Sequence, residues 1–387
     1  MNIIYLGAFP PAFLVERTRG KIDSFYRSSE AIIRGLRSID GVKLKVITSP
    51  DIVRFPKGPF FIKHETNINE DVTVVSMLNL PFIKQWWTIF SMTLESYRYI
   101  RKSDDPVVVI IPYIVFRHVF TLRLLHFLFP HKTIQACIVP DIFFPKSWRA
   151  RLFNNFAEKM TTKFDCFVFY TEKMAEKLRI ASDRYVVIEG FRTISNRVPT
   201  TRNDFRVVYA GSLNLNYGID RLIEATKLID DSDIFFHFYG SGDAENQLLE
   251  MSKKDPRIHF HGCVSKAKAT DGIYLASVLI NPRNANDGEY TAYSFPSKDI
   301  EYLATGIPTL LCKLPGMPCE YFGHFIDIKE GTPYQIAASI KYVKNLNQTE
   351  REAIGNDSRN FILDRMNLFQ QAKKIISLFE SVSNKVL

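Results

Sequence analysis

At 387 residues the chain exceeds what one hydrophobic core usually organises, which predicts two domains of somewhat under about 200 residues each. Hydrophobic residues make up 46% and charged residues 24%, a globular balance that excludes bulk disorder. The formal charge of +9 is uneven: residues 1–200 hold 29 Lys and Arg against 18 Asp and Glu, whereas residues 201–387 hold 21 against 23.

Short runs of Val, Ile and Phe alternate with segments of helical period, the pattern of parallel sheets covered by helices on both faces. In the first half, strands are predicted over residues 3–6, 43–48, 72–77, 107–111, 133–138, 166–170 and 185–188. Helices are predicted over 24–38, 85–101, 115–128, 148–160 and 172–178. The start of the chain reads as a buried first strand and not as a signal peptide, because no basic region precedes a long apolar run. The apolar stretch 107–129 is long enough to cross a bilayer, but Arg117, His118, Arg123 and His126 interrupt it and favour a strand followed by a helix. Five cysteines, odd in number and widely spaced, match no metal or disulfide framework and point to a reducing compartment, hence a cytoplasmic protein.

Three segments of the basic half mix cations with large apolar residues: 82–87, 116–132 and 143–151. Aromatic rings and basic heads settle together at headgroup depth, so an anionic membrane surface is one expected partner. Helices packed on a sheet give a similar stripe, and that reading stays open. Nucleic acid is not expected, since no recognised nucleic-acid module is present.

A polar stretch over 192–204 without apolar periodicity reads as a linker. It divides the chain into an N-terminal domain (1–195), a C-terminal domain (196–370) and a final helical segment (371–387) expected to cross back to the first domain. The second domain opens with a strand at 205–209 and continues with alternating helices and strands, its last element a single helix over 349–386.

The most informative segment runs from Tyr293 to Pro308. Pro296 and Ser297 are helix start signals, and Gly306 with Pro308 is a stop, so a short helix should begin beside a loop that also carries Ser294. Free backbone N–H groups at that end favour an anion, and Lys298 adds a full charge in the first turn. Glu301, one turn on, can accept two hydrogen bonds from vicinal hydroxyls, as ribose recognition requires; a solvated helix residue is the alternative.

This segment resembles the nucleotide-binding loop and helix of retaining GT-B glycosyltransferases of the family 4-like, group 1 type that act in bacterial polysaccharide biosynthesis. Supporting stretches follow in the family's order: Val208 to Ser212, Gly218 to Ala225, Phe238 to Gly242, Ile258 to Gly262 and Ala276 to Pro282. The resemblance implies an α/β fold of the GT-B type, with two Rossmann-like domains whose parallel sheets face a central cleft. It implies a metal-independent hexosyltransferase that needs no cofactor, takes a nucleotide-sugar (UDP-sugar by prevalence) and binds it through Gly211, Ser212, Ser294, Pro296, Ser297, Lys298 and Glu301, with base contacts near Val264.

Two departures bear on the site. Relatives often carry an arginine and a lysine at the positions of Ser212 and Tyr217, so Lys298, the helix N–H groups and Arg283 are expected to meet the diphosphate; a salt bridge is the other reading of Arg283. Many relatives carry a second glutamate where Tyr293 stands, and the acidic loop 284–289, through Glu289, is the expected substitute. Lys298, Arg283 and Asp141 are the expected catalytic residues, Asp141 orienting acceptor or leaving group or else capping the next helix. The basic half suggests a saccharide acceptor, in lipid-linked form a polyprenyl-diphosphate saccharide of capsule, lipopolysaccharide or exopolysaccharide assembly, on the inner face of the cytoplasmic membrane. A sugar-nucleotide epimerase or a phosphorylase on the same architecture, and a non-catalytic membrane scaffold with a decayed donor site, are the rival readings.

Overall fold

The computed structural model describes residues 1–7, 24–49, 52–53, 55–67, 71–81, 83–142, 148–188 and 195–386. The loop 8–11, the polar residues Glu16, Arg17 and Arg19, and the segment 143–147 lie outside the described residues. The chain forms two compact units, one of Met1–Thr193 with Asn367–Leu387, the other of Ile194–Met366.

In the first unit the strands are β1 (Asn2–Gly7), β2 (Lys43–Thr48), β3 (Phe61–Ile62), β4 (Glu65–Asn67), β5 (Val72–Val74), β6 (Met77–Leu78), β7 (Val107–Pro112), β8 (Thr133–Val139), β9 (Cys166–Phe169) and β10 (Tyr185–Val187). Eight of them form one sheet in the order β10-β9-β8-β7-β1-β2-β5-β4, parallel except for β4 against β5. β7 and β8 are buried at every position, as their near-continuous apolar sequences require of strands covered on both faces. The helices are α1 (Ser24–Arg37), α2 (Ile83–Lys102), α3 (Phe116–Leu128), α4 (Trp148–Thr161) and α5 (Glu172–Leu178). The apolar stretch 107–129 is thus strand and helix, and among the described residues no helix is long and apolar enough to cross a membrane.

The second unit carries a six-stranded parallel sheet, in the order β13-β12-β11-β14-β15-β16. Its strands are β11 (Phe205–Ala210), β12 (Ile234–Tyr239), β13 (Ile258–Gly262), β14 (Val278–Asn281), β15 (Thr309–Leu311) and β16 (Ile326–Asp327). Around it lie α6 (Ile219–Lys227), α7 (Glu245–Lys254), α8 (Lys266–Tyr274), α9 (Ser297–Leu303), α10 (Pro333–Asn345) and α11 (Gln348–Arg365). Strand order runs outward to one side from β11 and to the other from β14, so the topology reverses between these two neighbours. Loops at the C-terminal ends of strands flanking such a reversal leave a crevice where ligands bind in open α/β sheets.

The sequence suggested one helix over 349–386, but the structure has two. α11 stops at Arg365, and α12 (Leu368–Val386) starts afresh where the Asn367 carboxamide oxygen accepts the Phe369 N–H at 3.0 Å. The break separates the units. α12 packs on α1 and buries Ala372, Ile375 and Phe379 in the first unit's core.

Candidate active site

The crevice of the second unit is built from the ends of β11 and β14 and from α9. After β11 the chain passes through Gly211, whose φ of 156° suits glycine. A side chain there would collide with the Lys298 ammonium, so the absence of Cβ lets Lys298 lie against this backbone. Gly240, after β12, meets the Gly211 carbonyl in the same close manner. The Gly240 to Gly242 turn therefore packs two strand-end loops together, with Leu213 N–H donating to the Ser241 carbonyl at 2.9 Å.

α9 begins at Ser297, with Pro296 as its N-cap and no side chain capping it. It is two turns long, so its dipole is small and the charge at this end resides on side chains. The Tyr302 hydroxyl fastens the helix to the end of β11, accepting from Ala210 N–H at 2.7 Å and donating to its carbonyl at 3.2 Å. That tether places the Lys298 Nζ 3.7 Å from the centre of the Tyr209 ring. Burial pulls the Lys298 ammonium down to about 7, the charges of Asp299 and Glu301 oppose this, and Arg283 adds to the lowering.

Arg283 follows β14 through Pro282. Its guanidinium lies 5.2 Å from the centre of the Tyr217 ring and 4.4 Å from that of Tyr290, and it donates to the Ser294 hydroxyl at 3.0 Å. Its Nε is buried without a hydrogen-bond partner, a donor left unsatisfied inside the protein. Tyr217, at the position where a lysine was expected in relatives, thus holds an arginine delivered by a different loop. No carboxylate pairs with Arg283 among the described contacts, whereas the neighbouring Arg221 takes Asp287 through both nitrogens at 2.8 and 3.0 Å.

That pair takes Asp287 out of the acidic loop's offer to a ligand and leaves Glu289. Asp287 is buried and committed to Arg221, and of the loop's two acids only Glu289 is exposed. Ser212 is exposed beside Gly211, its carbonyl accepting the Tyr209 hydroxyl at 2.6 Å. Val264, half-buried, packs with Ala210 in the cluster behind the β13 end. Ser297 is exposed at the helix start, and Glu301 is half-buried one turn on. Asp141 is exposed after β8 in the first unit.

Sequence reasoning missed Asp299. It is 1% exposed and accepts the Asn281 carboxamide N–H at 2.6 Å, and burial pushes its carboxyl up to about 6 against the pull of Asn281, Lys298 and Arg283. Its place beside Lys298, on the inner side of α9, was the available signal. Two cations and two carboxyls thus gather where the topology reverses, a setting able to bind a polyanion and to respond when one arrives.

Residues 191–361 match the family described as glycosyl transferases group 1, nearly the whole second unit. No curated protein sequence matches the chain. Among solved structures, sucrose-phosphate synthase from Thermosynechococcus elongatus is similar over 99% of both chains at 14% identity, with a TM-score of 0.68. HepE of Anabaena, solved in complex with UDP, is similar over 98% of this chain and 100% of its own at 13% identity, with a TM-score of 0.67. The catalytic domain of starch synthase IV from Arabidopsis thaliana, bound to ADP and acarbose, covers 99% of both at 9% identity, with a TM-score of 0.66. These likenesses extend over both units and show the GT-B fold.

Proposed function

We propose that this glycosyltransferase, whose second unit belongs to the group 1 glycosyl transferases, moves a hexose from a nucleoside diphosphate donor to a saccharide acceptor with retention of configuration. The observation that carries the reading is the half-buried Lys298, held at the topological reversal with Arg283 beside it. Both cations are desolvated without a full complement of partners, and a diphosphate supplies the missing charge. Glu301 takes the ribose hydroxyls one turn further along α9, and backbone groups near Val264 take the base. UDP is the first nucleotide to test, and HepE was solved in complex with it.

As the bond between the anomeric carbon and the diphosphate oxygen breaks, negative charge grows on the leaving group. Lys298 and Arg283 stabilise that charge in a site where desolvation strengthens the attraction, which lowers the barrier. The acceptor hydroxyl oxygen forms its new bond to the anomeric carbon on the face the diphosphate leaves, and its proton passes to the departing diphosphate oxygen. Glu289 is the remaining candidate for contact with the donor sugar and Asp141 for contact with the acceptor. The acceptor is proposed to be a saccharide on a polyprenyl diphosphate carrier, as in cell-surface polysaccharide assembly in the cytoplasm, and the basic first half of the chain supports it.

A thermal-shift panel of UDP, GDP, TDP, CDP and ADP tests the donor site. One nucleotide is expected to raise the melting temperature, and Glu301→Ala and Lys298→Ala to abolish the rise. No shift at millimolar concentration with any of them overturns the assignment. Isomerisation of the matching sugar nucleotide without release of nucleoside diphosphate favours an epimerase instead.

A further inference from the structure

α2 is apolar on more than its inner side. Its buried positions are Ile89, Met92 and Ile100 together with Thr88, Ser91, Thr93 and Ser96, while Ile83, Trp86, Trp87, Phe90 and Leu94 face solvent at helical spacing. Trp86 is 59% and Phe90 61% exposed. A helix that already packs Ile89, Met92 and Ile100 inward and also turns its rings outward leaves a second apolar face to cover. α4 repeats the arrangement, with Trp148, Leu152 and Phe156 exposed four residues apart and Trp148 at 67%. α3 lies between and joins them: the Trp86 ring meets Phe116 at 6.3 Å and Phe120 at 5.9 Å edge-on, and Phe116 meets Phe156 at 6.3 Å. The result is one continuous aromatic face across three helices of the first unit, and it holds all three tryptophans of the chain.

Charge identifies what covers it. The three helices carry nine Lys and Arg against two Glu. Between α3 and α4, Arg123, Lys159 and Lys163 surround an apolar floor of Phe156 and Met160, forming a pocket of about 340 Å³. A second copy of this chain would set like charge against like, which disfavours self-association through this face. A nucleic acid would satisfy the cations but leave Ile83, Leu94 and Leu152 without apolar partners. An anionic lipid surface satisfies both, since rings settle at headgroup depth and cations reach the phosphates.

We propose that the face formed by α2, α3 and α4 docks on an anionic phospholipid membrane, with the pocket between α3 and α4 receiving a lipid phosphate. Every residue involved belongs to the first unit, so the proposal stands or falls separately from the donor site in the second.

The three tryptophans make the test direct, because the protein's own indole fluorescence reports this face alone. Vesicles of phosphatidylcholine with phosphatidylglycerol are expected to shift the emission to shorter wavelength, and brominated phospholipid to quench it; pure phosphatidylcholine should bind at least about tenfold more weakly. Lys159→Glu with Lys163→Glu is expected to weaken binding to the anionic vesicles by at least about 30-fold, from roughly a factor of five for each cation lost near a charged surface, with the two added carboxylates weakening it further. Trp86→Ser with Phe90→Ser should abolish quenching of the remaining indoles. Lys159→Glu with Lys163→Glu keeps the wild-type melting temperature, because both side chains are exposed, and Trp86→Ser with Phe90→Ser should keep native circular dichroism while losing the Trp86 contacts to Phe116 and Phe120. The proposal is overturned by no partition to anionic vesicles, by partition that both double variants leave unchanged, or by concentration-dependent dimerisation lost in Trp86→Ser with Phe90→Ser while vesicles fail to bind. Tighter binding of a single-stranded oligonucleotide than of vesicles also overturns it.

Discussion

The lowered ammonium of Lys298 makes nucleotide affinity depend on pH in a way that can be worked out beforehand. In the free protein its pKa is about 7, so the group is about half charged at pH 7 and about 3% charged at pH 8.5. A bound diphosphate returns it to the charged form, and binding therefore takes up a proton. Apparent affinity then falls as pH rises, by about 16-fold between pH 7 and 8.5, or about 1.6 kcal/mol. The second ionisation of a phosphate lies near pH 6, so the ligand keeps a nearly constant charge over this range. Isothermal titration of the nucleoside diphosphate in buffers of different ionisation enthalpy measures the proton directly, and close to 0.9 proton per site is expected at pH 8. Lys298→Arg should flatten the profile, since a guanidinium stays charged throughout. Lys298→Met should bind weakly at every pH. Wild-type affinity constant within twofold from pH 7 to 8.5, with no buffer-dependent heat, refutes the reasoning.

Other consequences follow from the same contacts. Gly211→Ala places a methyl group where the Lys298 ammonium lies, displaces the lysine, and also strains a backbone whose φ of 156° suits glycine, which should lower the melting temperature. Circular dichroism should stay native while the nucleotide-induced thermal shift disappears; a retained shift would show that Lys298 is not held there. Arg221→Ala leaves the Asp287 carboxylate buried without its partner and should cost about 3 kcal/mol in urea unfolding. His237, His259 and His261 stack against one another on β12 and β13, with His237 and His261 joined at 3.0 Å. Burial, and then the neighbouring imidazole of His259, hold His237 down to about 3, and burial lowers the other two as well. Folding therefore favours the neutral rings, and stability is lost as pH falls below the unfolded value near 6.5 toward 3. Melting temperatures at pH 7.5 and 5 should differ less in His237→Phe than in the wild type.

The alternation of strand and helix was legible because parallel strands buried on both faces leave unbroken apolar runs such as Val107 to Ile111. The break at Met366 and Asn367 was not. Both sides of it are helical in period, and the decision rests on a side-chain cap at Asn367 together with the separate core that α12 joins. In the same way the aromatic content of 83–94 was visible, but not its direction. Ordinary amphipathic logic turns Trp and Phe inward, whereas α2 packs Ile89, Met92 and Ile100 inward with its Ser and Thr and leaves Trp86 and Phe90 outside, a direction that only the packing shows.

The site was half legible for a similar reason. Lys298 and Glu301 sit in a contiguous motif whose spacing fixes their places on one short helix. The missing cations at Ser212 and Tyr217 looked like decay, because a sequence shows what stands at a position and not what another loop delivers there. In the structure the Tyr217 ring is one wall of the cage around Arg283, 66 residues on, with Tyr290 as the other and Ser294 as the hydrogen-bond acceptor. The cation stands on the loop after β14 and not on the loop after β11, and these strands are neighbours at the topological reversal. A cation at either strand end faces the same crevice. Arg283 is caged there between two rings with its Nε unsatisfied, so a cation stands ready at the crevice although Ser212 and Tyr217 carry no charge.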